Sequence, residues 1–282
     1  MKVGPLTYRR ADDADHARVT ARQLGEGAKF MAGGQSLMPM MNLRLTLTQG
    51  IVDISRIAAL RESRMENGRL FIGAGVTHAM IEDGKVPDPA RGYLQRVASG
   101  IAYRSIRNRG TLGGSLAHAD PAADWPTALR ALEAVAVIRG EAGPRQVPME
   151  RFQRGLMETD LSEGELLEGV LLPQLSAQAR WGYRKFCHKV GEFAHSIGAV
   201  VVDPEQGLCN VVLGAAASKP LRLPGASARL AQGLSAQEAS GVSFSSLVDA
   251  DLAGLIECPP DGEEFHLHRT MVLRAVAEAM KP

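Results

Sequence analysis

Two glycine pairs constrain this chain more than any other feature. Gly33-Gly34 lies in MAGGQSLMP (Met31 to Pro39) and Gly113-Gly114 in RNRGTLGGSLAHADP (Arg107 to Pro121), each followed by a serine and an apolar helix start. A glycine pair carries no Cβ, so successive backbone N–H groups can turn toward a ligand, and a helix start behind it adds the positive end of a dipole. One such loop is an ordinary strand-to-helix turn. Two built alike and far apart in sequence imply a pyrophosphate held from both sides, one loop per phosphate. The expected ligand is a dinucleotide.

The local sequence supports that reading. Lys29 to Ala32 reads as a short buried strand, and Ser36 as the cap of a helix from Leu37 to Leu43 that tolerates Pro39 in its first turn. Thr111 and Ser115 flank the second pair, so hydroxyls and amides should converge on one spot. No GxxxxGK[ST] string exists, which excludes a P-loop. Gly73-Ala-Gly75, after Leu70-Phe71-Ile72, imitates a Rossmann start but puts His78 where the third glycine belongs, and a Rossmann fold is rejected.

At 282 residues the chain has room for two or three compact units. Its net charge of +1 offers no general attraction to nucleic acid or to an anionic membrane. The basic stretch RSIRNRG, with Arg104, Arg107 and Arg109, is local; it suits anion neutralisation, a subunit contact or a solvated turn. Cys187, Cys209 and Cys258 form no CxxC pair, so this chain alone should hold neither an iron–sulfur cluster nor a tetrathiolate zinc. His118-Ala-Asp120 and His266-Leu-His268 lack third and fourth ligands at any familiar spacing, and no metal site is expected. There is no GxSxG elbow, and no Cys or Ser has an evident base partner, so hydrolysis has no support. MKVGPLTYRR lacks an apolar leader core and no stretch approaches the roughly 20 apolar residues of a membrane span, so a cytoplasmic location is expected.

Periodicity divides the chain into three units of an α+β protein. Residues 1–54 read as strand, helix (Ala11 to Leu24), short strand, glycine loop, helix and strand (Ile51 to Asp53). Residues 55–175 carry a strand at Leu70 to Ile72, a helix capped by Thr77, and a helix after Asp88-Pro89 with Asp as cap. The second glycine loop follows, then a helix from the DPAAD segment through Leu132 and strands at Val135 to Arg139 and Glu168 to Leu172. Residues 176–282 read as a strand at Tyr183 to Cys187, a hairpin of Ala199 to Val202 with Cys209 to Leu213, and two or three helices ending with Phe265 to Met280.

AGGQSLMPMMNLRL (Ala32 to Leu45), IRNRGTLGGSLAHADPAAD (Ile106 to Asp124) and WGYRKF (Trp181 to Phe186) resemble the medium, FAD-binding subunit of molybdenum hydroxylases, the family of carbon monoxide dehydrogenase and xanthine dehydrogenase. The resemblance runs end to end. It implies a two-subdomain FAD-binding fold of the vanillyl-alcohol-oxidase type, then a C-terminal domain of three antiparallel strands and a helical bundle. It places Ala32, Gly33, Gly34, Gln35 and Ser36 against one phosphate with Leu37 beside them, and Thr111, Gly113, Gly114 and Ser115 against the other. Asp124 matches a carboxylate near the adenosine end, although an acid in a first helical turn is also ordinary. Lys185 matches a lysine near the isoalloxazine, where a cation stabilises reduced flavin; on residues alone it reads as a solvated strand lysine. Leu167 and Phe193 match positions lining the flavin ring, and would otherwise pass as core.

What the resemblance implies for function is an electron-transfer subunit. It would hold FAD, take electrons from [2Fe-2S] clusters on a small partner, and pass them to an external acceptor. A large partner would carry the molybdenum cofactor, in a dimer of heterotrimers. Two alternatives keep the fold: a stand-alone flavin reductase or oxidase, and a scaffold subunit without flavin redox. Two segments depart from the family pattern. Tyr103-Arg104-Ser105 replaces a His-containing segment, and Pro259 to Glu264 alters the approach to the last helix.

Overall fold

The computed structural model describes residues 4–281, so the outermost residues of the first and last expected units, 1–3 and 282, lie outside the described residues. In the first unit β1 (Thr7–Arg10), β2 (Lys29–Met31) and β3 (Gly50–Asp53) form a parallel sheet in the order β1-β3-β2. The central strand is GIVD, buried throughout, as a parallel strand covered on both faces must be. Helix α1 (Ala14–Leu24) turns Ala17 and Ala21 into a core with Val52, Ile57 and Leu60. It starts three residues after Ala11 because Asp13, in an extended conformation, caps it by accepting from the His16 amide at 2.8 Å. The first glycine pair leaves the carboxyl end of β2 and leads into α2 (Leu37–Asn42). That is the edge of a parallel sheet where ligands of α/β folds sit.

The second unit is built on an antiparallel sheet of β4 (Ser63–Glu66), β5 (Arg69–Gly73), β6 (Val135–Gly140), β7 (Gly143–Pro148) and a long strand at Leu166–Pro173, with that strand in the middle. Short helices fill the chain between β5 and β6: α3 (His78–Glu82), α4 (Tyr93–Ser99), α5 (Arg104–Arg107), α6 (Leu112–His118) and α7 (Asp124–Ala131). Thr77 caps α3 as its sequence predicts. Asp88 does not cap directly. Arg91 and Gly92 both take left-handed conformations, which delays α4 to Tyr93, and the Asp88 carboxylate reaches forward to accept from the Leu94 amide at 3.0 Å. A helical turn α8 (Met149–Phe152) and a small ribbon, β8 (Gln153–Gly155) with β9 (Glu158–Thr159), lead into the central strand, β10 (Leu166–Pro173). Trp125, Tyr93 and Phe152 are fully buried beneath the sheet.

In the third unit β11 (Arg180–Phe186), β12 (Ser196–Asp203) and β13 (Leu208–Gly214) run antiparallel, joined by a two-residue edge strand β14 (Leu221–Arg222), so the sheet has four strands rather than three. Helices α9 (Pro224–Ala231), α10 (Ala236–Ala239), α11 (Val242–Leu255) and α12 (Glu263–Ala279) complete it. Helix α12 lies flat on β11 and β12 because Gly182 and Gly198 leave no Cβ in its path; one at Gly198 would stand 2.7 Å from the Met271 carbonyl carbon. Residues of β12 alternate between two cores. Val200 and Val202 face the helical bundle, while Ala199 and Val201 join the core that contains α7. The third sheet is therefore packed against the helix that begins at Asp124. Among the described residues, no helix is long and apolar enough to cross a membrane.

Candidate functional site

A cleft of about 590 Å³ opens between the two glycine loops, within the usual range for a small-molecule site. Ala32, Gly33, Gly34, Gln35, Ser36 and Leu37 line one side. Thr111, Gly113, Gly114 and Ser115 face them, with Asp124, Leu167 and Phe193 further along. Lys185 is the one candidate residue that does not line the cleft.

The loops touch each other. The Gly33 Cα packs on the backbone of Arg109 and Gly110, so a Cβ at Gly33 would fall inside the Arg109 carbonyl and lie 3.0 Å from the Gly110 Cα. The left-handed residue of the pair is Gly34, with φ of 71°. The two glycines thus serve different needs, close approach at 33 and conformation at 34. Gln35 braces the turn by donating from Nε2 to the Gly33 carbonyl at 3.2 Å. Among the described residues, the backbone amides from Gly33 to Leu37 find no acceptor, and neither does the Ser36 hydroxyl, which makes no cap bond to α2. A run of unpaired donors at a cleft wall selects for an acceptor-rich, anionic ligand.

The second loop is built differently from the sequence expectation. Its amides beyond Thr111 are already committed: Leu112 donates to the Val76 carbonyl and Gly113 to that of Ala74, each at 2.9 Å. Gly114 donates to Thr111 Oγ1 and Ser115 to the Thr111 carbonyl, each at 3.0 Å. Thr111 is the N-cap of α6 and its hydroxyl takes up the Gly114 amide, while the loop's contact with residues 74–76 takes up those of Leu112 and Gly113. What this loop gives the cleft is the Thr111 amide, which finds no acceptor among the described residues, the side-chain-free Gly114 and the Ser115 hydroxyl. Gly113 is needed for packing, since a Cβ there would collide with Ala74 at the end of β5. The Gly73-Ala-Gly75 run that imitates a dinucleotide fingerprint is thus the floor under this loop.

Asp124 stands at the first turn of α7 and opens onto the cleft. Lys185, on β11, donates from Nζ to both carboxylate oxygens at 2.9 and 3.1 Å. Tyr183, two residues earlier on the same face, donates its hydroxyl to Asp124 Oδ1 at 2.6 Å. Burial, then the adjacent Asp124 carboxylate, push the Tyr183 hydroxyl well above its ordinary range, which keeps it a donor. The lysine is not a solvated strand residue; its side chain is 16% exposed and that of Asp124 is 9% exposed. Leu167 belongs to both core and cleft. Phe193 is not core: it is 59% exposed and sits at the cleft mouth. There the Tyr103 hydroxyl donates to the Val190 carbonyl at 2.6 Å, and Gly191, at φ of 95°, lies directly against the Tyr103 ring.

The arginines of RSIRNRG separate by role. Arg107 grips Glu82 through Nε and Nη2, each at 2.8 Å, and donates from Nη1 to the carbonyls of Ile101 and Ala102. Arg104 pairs with Asp83 and Glu82 at 2.7 Å. Arg107 first, and Arg104 after it, hold the Glu82 carboxyl below its usual range. Neither guanidinium is left to neutralise a ligand, and among the described residues no arginine lines the cleft. Two residues of the site escape sequence reasoning. Tyr183 is one, and its signal was the i, i+2 spacing from Lys185. His78 is the other: it lines the cleft beneath the second loop, where it first registered only as a missing glycine.

Residues 4–175 match the family described as FAD binding domain in molybdopterin dehydrogenase. The 6-hydroxypseudooxynicotine dehydrogenase complex subunit alpha of Paenarthrobacter nicotinovorans is 36% identical over 211 residues, spanning 74% of this chain and 71% of that protein. Among solved structures, a chain of carbon monoxide dehydrogenase from Hydrogenophaga pseudoflava superposes with a TM-score of 0.87 at 31% identity, covering 99% of this chain and 98% of that one. A chain of quinoline 2-oxidoreductase from Pseudomonas putida 86 gives 0.85 at 28% identity with the same coverage. The fold is therefore the FAD-binding fold followed by a C-terminal sheet and helices, and this chain belongs to the family of FAD-binding domains of molybdopterin dehydrogenases.

Proposed function

We propose that this chain is the FAD-holding, electron-transfer subunit of a heteromeric molybdenum hydroxylase. The observation that carries the reading is the row of unpartnered amides from Gly33 to Leu37 facing the second glycine loop across the cleft. The residues present fit the cofactor. Amides 33 to 37 and the Ser36 and Ser115 hydroxyls would hold the pyrophosphate with neutral donors, and Gly114 would let it approach the second loop. Thr111 would act by fixing the start of α6, and Ala32 and Gln35 by shaping the turn. Leu167 and Phe193 would meet the flavin's apolar faces, while Asp124 would accept from a ligand hydroxyl or N–H. Tyr183 and Lys185 hold that carboxylate oriented through their hydrogen bonds, and the Lys185 charge would act on the flavin from behind it.

When bound, FAD supplies a carrier for two electrons. This chain's own residues bind and orient it and exclude water from one face; no side chain is assigned a proton-transfer step. Electrons would arrive from [2Fe-2S] clusters of a small subunit, a large subunit would carry the molybdenum cofactor, and the working assembly would be a cytoplasmic dimer of heterotrimers. Support comes from relatives named as complex subunits or as chains of molybdenum enzymes.

Purification from the native source tests the reading. A yellow complex that releases FAD on denaturation and contains an iron–sulfur chain and a molybdenum chain is expected. A colourless protein supports the scaffold alternative, and a flavoprotein that purifies alone and reduces its own substrate supports the stand-alone one.

A further inference from the structure

His78 is 5% exposed, lines the cleft, and has only one ring nitrogen occupied. Trp125 Nε1, which is always a donor, gives its hydrogen to His78 Nδ1 at 3.0 Å. Nδ1 is then the acceptor, and the ring hydrogen must sit on Nε2. Among the described residues Nε2 has no partner. The edge carrying Nε2 and Cδ2 fills the space that a side chain at Gly110 would need, both atoms lying 2.9 Å from the position of that missing Cβ. Gly110 in turn lines the cleft and supports Gly33, and its carbonyl accepts from the His78 amide at 3.0 Å. His78 lines the cleft, so its Nε2–H is a donor that a ligand acceptor there can satisfy.

Resting on the reading that the cleft holds FAD, we infer that His78 is a further ligand-binding residue, its Nε2–H donating to a phosphate oxygen of the dinucleotide where the two loops meet. The chemistry fits the glycine-loop part of the cleft, where backbone amides and hydroxyls are the donors; the cationic Lys29 also lines the cleft, from β2. Burial and the nearby Arg107 push the imidazole down to about 4, so it donates without carrying charge at neutral pH. Trp125 acts through His78 as a positioning residue that fixes the tautomer.

The test uses the full chain freed of flavin and titrated with FAD. His78→Phe keeps the ring and removes the donor; its FAD dissociation constant should rise about tenfold or more, the loss of one hydrogen bond to a charged acceptor. His78→Gln offers an N–H near the reach of Nε2 and an oxygen for Trp125, and should bind FAD within about threefold of the parent. Bound FAD in the Gln variant should show one ³¹P resonance displaced from its parental position. FAD affinity in His78→Phe within twofold of the parent would overturn the assignment, as would unchanged ³¹P resonances in His78→Gln. If the Phe variant does not fold, the Gln variant and its ³¹P spectrum decide alone. A parent chain that binds no FAD would instead overturn the function proposed above.

Discussion

Replacing Gly33 by alanine isolates the contact between the two loops. The new Cβ would meet the Arg109 carbonyl oxygen first and stand 2.7 Å from its carbon, where ordinary carbon–carbon contact begins near 3.4 Å, so the backbones must part by more than about 0.7 Å. Neither strand of that contact has a side chain that can rotate away. Overpacking of this kind costs about 1–3 kcal/mol in stability. The amides from Gly33 to Leu37 move with the displaced loop, and each hydrogen bond to a charged acceptor is worth about 1.5–3 kcal/mol, so losing one or two weakens FAD by about 100-fold. Gly34→Ala is the control. Its Cβ would meet Met38 Cγ at a tolerable 3.4 Å, leaving only the left-handed conformation to strain, about 1–2 kcal/mol. Fluorescence titration of flavin-free protein with FAD, alongside urea unfolding, measures both. If Gly33→Ala binds FAD as tightly as Gly34→Ala, the idea that the cradle depends on loop-to-loop approach is refuted.

Three further outcomes are expected. Lys185→Met leaves Asp124 buried without its counter-charge and should destabilise flavin-free protein by about 3 kcal/mol while shifting the bound flavin's reduction potential; adding Asp124→Asn should restore most of the stability. Urea unfolding that places Lys185→Met within 0.5 kcal/mol of the parent would show that the pair contributes little. His78 titrates at about 4 when folded against 6.5 in its ordinary state, so the unfolded chain binds the extra proton between those values. Its contribution is fully present above pH 6.5 and lost as pH falls toward 4, about 2 kcal/mol by pH 5, and His78→Gln should lack that component in unfolding at pH 7 and pH 5. Tyr103→Phe removes the bond to Val190 while keeping the ring against Gly191, and should speed FAD release several-fold, about 1 kcal/mol. Stopped-flow displacement with unchanged release would detach that bond from cofactor retention.

Local rules made much of this molecule readable. The glycine loops, the Thr77 cap and the β12–β13 hairpin follow from turn residues and short-range periodicity, which act within a few positions of the chain. Long-range choices were hidden. Nothing near Asp124 announces that Lys185 will pair with it, because β11 reaches α7 only through the packing of the third sheet. Thr111 has the same spacing whether its hydroxyl serves a ligand or caps a helix, and the second outcome takes up the Gly114 amide expected in the cleft. Asp88 was read as a direct cap since the left-handed pair at Arg91 and Gly92 carries no strong sequence mark at Arg91. His78 was invisible because its meaning lies in the one nitrogen that Trp125 leaves free.

The stretch that carries the family signature ends at residue 175, yet the counter-charge of Asp124 is supplied from residue 185 and part of the cleft wall from residues 191–193. Cutting the chain at the signature's end would therefore leave an intact-looking pair of loops with one wall missing and a carboxylate facing solvent. On the function proposed above, cofactor retention would depend on all three units at once, and flavin content would report on whether the carboxyl-terminal third has docked.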